Sequence, residues 1–105
     1  MSDSINAVRE FEQIIGYKKE GTFIKLYTEA VVDERVIRQG TEDCCISYNI
    51  GYEQYTVAID WNMSDTVMHN LGLHGSYNTN YQTMTVKKNA LIIKGDGYQI
   101  RLWKE

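Results

Sequence analysis

The 105-residue sequence contains no proline. Asn, Asp and Gly must then make the turns, and no prolyl isomerisation can slow folding. Cysteine is confined to the neighbours Cys44 and Cys45. On a strand, successive side chains point to opposite faces, so the pair reads as two reduced thiols, and no disulfide framework is expected. Long apolar runs are also lacking: those at 30–32 and 90–93 fall far short of the ~20 residues that span a bilayer. The first residues have neither the cationic start nor the apolar stretch of a secretory signal. A cytoplasmic protein without membrane association is the expectation.

Catalytic signatures are scarce. His69 and His74 are the only histidines, and residues five apart do not share a helix face. Cys44, Cys45, His69 and His74 are the right types for zinc, but adjacent cysteines on a strand cannot easily converge on one ion. Acid–base cleavage of a phosphodiester by the two histidines would need a cation nearby, and none is close in sequence. There is no nucleophile elbow, and Gly95-Asp96-Gly97 reads as a hairpin rather than a phosphate loop leading into a helix. A non-enzyme without metal or cofactor is expected.

Cations are absent from one long stretch. The net charge is −3, yet residues 39–86 hold five acids and no Lys or Arg, whereas residues 87–105 hold five bases against two acids. What the sequence has in excess is tyrosine, eight against two Phe and two Trp. Tyrosine joins a flat apolar body to a polar tip and suits a wet core edge or a binding face.

Periodicity supplies the elements. Ile5, Val8, Phe11 and Ile15 fall at helical spacing within the first sixteen residues, with Asp3 or Ser4 as N-cap and Gly16 as C-terminal stop. From Gly21 the period becomes two, and a strand is expected over 22–28. β-branched residues favour a further strand over 29–39, although Asp33-Glu34-Arg35 could turn. Alternation over 44–50 and 54–61 reads as a hairpin. Ser64-Asp65 begins a short helical stripe at Val67, Met68 and Leu71. Strands over 77–87, 90–94 and 98–103 follow, reversed at Lys88-Asn89 and at Gly95-Asp96-Gly97. The expected fold is a single α+β domain over 1–105: an N-terminal helix packed on a curved antiparallel sheet, or on a small β-barrel, of about seven strands.

Three functional readings follow. Acids beside aromatics suit an interface for a basic protein partner, because acids steer encounter and aromatics supply desolvated contact. Glu42, Asp43, Tyr52, Glu53 and Asp60 are the candidate contacts of a small acidic interaction module. It would occlude a nucleic-acid-binding surface, as inhibitory and immunity-type proteins do. The second reading is a barrel that holds a small ligand among Tyr48, Tyr55, Trp61 and Tyr98. The third and weakest is single-stranded nucleic acid held by Lys87, Lys88 and Arg101, with Trp103 as a stacking surface.

Overall fold

The computed structural model describes residues 3–17, 22–51, 53–59 and 83–104. The short helix expected over 64–71, the first part of the strand expected over 77–87, and Tyr52, Asp60, Trp61, His69 and His74 lie outside the described residues.

One stripe of helix α1 (Asp3–Ile15) is apolar, and its Val8, Phe11 and Ile15 are buried. Gly16, at φ +74°, takes the left-handed position beyond the helix, and the Tyr17 N–H donates back to the Glu12 carbonyl at 3.1 Å. This Schellman closure satisfies one of the carbonyls that a helix end otherwise leaves orphaned. The Tyr17 hydroxyl donates to the Thr22 carbonyl and accepts from the Thr22 N–H at 3.0 Å. The helix terminus is thereby tied to the entry of the first strand.

Strands β1 (Phe23–Val32), β2 (Arg35–Asn49), β3 (Gln54–Ile59), β4 (Thr83–Lys87), β5 (Ala90–Gly95) and β6 (Tyr98–Trp103) form an antiparallel sheet in the order β3-β2-β1-β6-β5-β4. Six strands are present among the described residues where about seven were expected. The expected strand over 29–39 is corrected. Asp33 and Glu34, at φ 51° and 64°, make a two-residue hairpin turn that divides it. Its second half runs on without a break into the strand expected from Cys44, which explains the 15-residue length of β2. Positive φ at both turn positions matches the right-handed twist of the flanking strands. Register shifts beside this turn: Ala30 faces Arg38 and Val31 faces Val36, which leaves Ile37 without an opposite residue. Such a bulge bends the strand and increases its twist.

The sheet curls into a half-barrel. Its concave face carries Leu26 and Ala30 from β1, Cys44 and Ile46 from β2, Val57 and Ile59 from β3, Met84 from β4, Leu91 and Ile93 from β5, and Ile100 and Leu102 from β6. These side chains share one core with Val8, Phe11 and Ile15 of the helix. Full burial stabilises by about 1.5–3 kcal/mol per large apolar side chain. Helix α1 packs on β4 and β5 and also touches β3, so it fills the gap between the two edges of the curled sheet. Among the described residues the two edges are bridged by this helix rather than by a strand pair, which makes the sheet the curved form of the expected fold. The described helix is too short and too polar to cross a membrane.

Candidate interaction surfaces

The acids of β2 part at Glu42 and Asp43. Glu42 stands opposite Leu26, on the concave side, and Asp43 stands opposite Lys25, on the convex side. Each has a cation: Arg38 approaches Glu42 at 4.0 Å, and Lys25 Nζ donates to Asp43 at 3.0 Å. Glu53 sits apart in the turn between β2 and β3, at φ 53°. The described acids therefore do not gather into one patch. Both cations precede the cation-free stretch: Lys25 is brought to Asp43 by β1–β2 pairing, and Arg38 reaches Glu42 from four residues earlier on β2 itself.

A different grouping forms on the convex face. Tyr27 of β1 and Trp103 of β6 are register partners, and their rings stack at 5.7 Å between centroids and 14° between planes. The Arg101 guanidinium lies 4.9 Å from the Trp103 ring centroid and donates to Glu29 at 3.1 Å. Glu29 also accepts from Gln39 at 3.3 Å. Phe23, on the same face of β1, is 66% exposed, and Ile50 in the β2–β3 turn is 82% exposed. Sequence reasoning missed Phe23 and Tyr27 as candidates. Their signal is the alternation of β1, which puts aromatic residues on the face turned away from the helix.

The tyrosines proposed as a ligand lining separate. Tyr48 and Tyr55 face each other across β2 and β3 with rings edge to face at 5.2 Å. With Ile5 and Arg9 of the helix they line a cavity of about 380 Å³. Tyr98 pairs with Val32 and Gly95, near the β1–β2 turn and thus at the opposite end of β2 from Tyr48. It lines another depression with Asp33, Glu34 and Lys94. Burial pushes the Tyr98 hydroxyl up to about 12, so it stays neutral.

Lys88, Asn89 and Ala90 from the β4–β5 reversal meet Arg101, Trp103 and Lys104 from the end of β6, together with Ile14 of the helix, around a cavity of about 410 Å³. Lys104 also donates from Nζ to the Ile15 carbonyl at 3.0 Å. A cation is favourable there because the helix C-terminus carries partial negative charge. Lys87 is exposed on β4 and does not line the cavity.

Cys44 and Cys45 are both free thiols, the first buried and the second half-buried on the convex face opposite Phe23. Burial, then the charges of Glu42 and Asp43, push the Cys44 thiol up to about 12, the direction opposite to an activated nucleophile. Among the described residues no group of three or more His, Cys, Asp or Glu is placed to hold a metal ion. In comparisons with protein families, curated proteins and solved structures, the chain matches none.

Proposed function

We propose that the protein is a small non-catalytic interaction module. It docks on a larger protein through the convex face of β2, β1 and β6 and acts as an inhibitor by covering the surface it binds. The observation that carries this reading is the row of Phe23, Tyr27, Arg101 and Trp103 on a sheet face that no described element covers. Tyr, Trp and Arg are the residue types that dominate binding energy at interfaces, and Tyr27 and Trp103 are already held in place by stacking.

Asp43 lies on this face, and Glu53 lies farther along, in the β2–β3 turn, where its N–H donates to the Ile50 carbonyl. These two keep the role of steering a basic partner. Glu42 drops out because it faces the concave side. The Lys25–Asp43 pair is solvent-exposed and therefore weak, so Asp43 can exchange Lys25 for a partner's cation at little cost.

The test is affinity capture from the source cells with the tagged chain, alongside F23S and D43K/E53K variants. A partner held by the parent chain, lost by F23S, and captured more slowly by D43K/E53K only at low salt supports the reading. A partner captured equally by all three chains removes this face.

The cavity between Tyr48, Tyr55, Ile5 and Arg9 favours a second reading, a small anionic aromatic ligand. Thermal-shift measurements with aromatic carboxylates check it. A bound ligand at 100 times its Kd adds about 2.7 kcal/mol of stability.

A further inference from the structure

The cavity at the β4–β5 turn has an unusual balance of hydrogen-bonding groups. Among the described residues, three cations line it, Lys88, Arg101 and Lys104, and no acid does. The depression beside Tyr98 has the reverse character, with Asp33 and Glu34 against Lys94 alone. Two of the three cations are partly committed. Arg101 is offset by the Glu29 carboxylate, and Lys104 has one of its N–H donors occupied by the Ile15 carbonyl. Lys88 is different: among the described residues its ammonium has no acid and no acceptor. The Asn89 amide and the Trp103 indole N–H likewise donate to no described group. The floor, Ala90 and Ile14, is apolar.

From this arrangement we infer a binding site for a small organic phosphate, such as a nucleoside monophosphate. The phosphate is held by Lys88, Arg101 and the Trp103 N–H, and its organic part rests against Ala90 and Ile14. A phosphate group presents several acceptor oxygens and no compulsory donor, which complements a pocket rich in donors and poor in acceptors. Lys88 and Asn89 hold φ at 53° and 65°, so the turn presents the lysine from a rigid two-residue reversal. The Trp103 ring already contacts Tyr27 and Arg101. Base stacking on it is therefore disfavoured, and the site suits one phosphorylated small molecule better than a nucleic-acid strand.

The experiment is an amide and indole NMR titration of the intact chain at low ionic strength. Its probes are inorganic phosphate, adenosine monophosphate, a single-stranded oligonucleotide, and sodium chloride at matched ionic strength. Both phosphates should produce saturable shifts centred on residues 88–90 and the Trp103 indole, with the nucleotide binding more tightly. K88N should weaken both about tenfold, the loss of one charge-assisted contact. Asn tolerates positive φ, so the turn survives, and unchanged resonances elsewhere confirm the fold. Three results would overturn the inference: no saturation by either phosphate, shifts that sodium chloride reproduces, or insensitivity to K88N. Oligonucleotide binding that tightens with length and spreads its shifts along β4 would also overturn it, in favour of a strand-binding surface.

Discussion

The ring of Tyr98 occupies the space that a side chain on Gly95 would need, across the register pair that joins β5 to β6. Glycine is required at position 95 by contact, because a methyl group there would meet the ring carbons and hydroxyl of a buried tyrosine. Gly95→Ala is expected to destabilise the fold by about 1–3 kcal/mol, the usual cost of overpacking. In a Tyr98→Ala background the same change should cost far less. Chemical denaturation of the four chains of this double-mutant cycle gives the coupling. Additive effects would show that the ring and the glycine do not share space.

Thiol chemistry should separate the neighbouring cysteines. Cys45 is half-buried and Cys44 is buried, with its thiol pushed up to about 12. Iodoacetamide at pH 8 is expected to modify one thiol in the folded chain and two in denaturant. Peptide mapping should place the native adduct on Cys45. Equal labelling of both under native conditions would contradict the burial of Cys44.

Alkaline stability follows from the same burial. Cys44 and Tyr98 are neutral when protonated, and folding raises their values from 9.0 and 10.0 to about 12. The unfolded chain loses these protons first, so unfolding releases protons between about pH 9 and 12. Stability is fully present below pH 9 and declines as pH rises through that window. Urea midpoints measured from pH 8 to 12 should fall, and Cys44→Ala should remove the part of the decline that begins near pH 9. A profile unchanged by Cys44→Ala would rule out the thiol as a contributor.

The helix–sheet contact rests heavily on Phe11, which is fully buried between α1 and the concave face. Phe11→Ala is expected to cost about 3–5 kcal/mol. That is a large part of the roughly 5–15 kcal/mol available to a domain of this size. Circular dichroism during urea denaturation checks it. A loss below 1 kcal/mol would mean that the helix is not fastened through this ring.

The sequence made the helix and the last strand plain. Val8, Phe11 and Ile15 repeat at helical spacing before Gly16, and Tyr98, Ile100 and Leu102 alternate inward. The break at Asp33-Glu34 was obscure because two acidic residues adopt positive φ where Asn or Gly would announce a turn. The acids misled for another reason. Closeness along the chain is not closeness in space, and period-two alternation sends Glu42 and Asp43 to opposite faces. The partner of Asp43 is beyond a local reading, since Lys25 reaches it only through β1–β2 register, whereas Arg38 reaches Glu42 from four residues earlier on the same strand. The basic cavity was half legible. Lys88, Arg101 and Trp103 stood out by composition, but Ile14 and Lys104 join them only because the helix ends beside β6.

The placement of α1 has a consequence for handling the protein. Among the described residues, α1 is the element that packs between the two edge strands, whose unpaired ladders are templates for other chains. A fragment lacking residues 1–16 would present two bare templates and a wet apolar trough. Such a fragment should polymerise rather than remain dispersed, so proteolytic trimming at this end would turn the chain into a seed for fibrils.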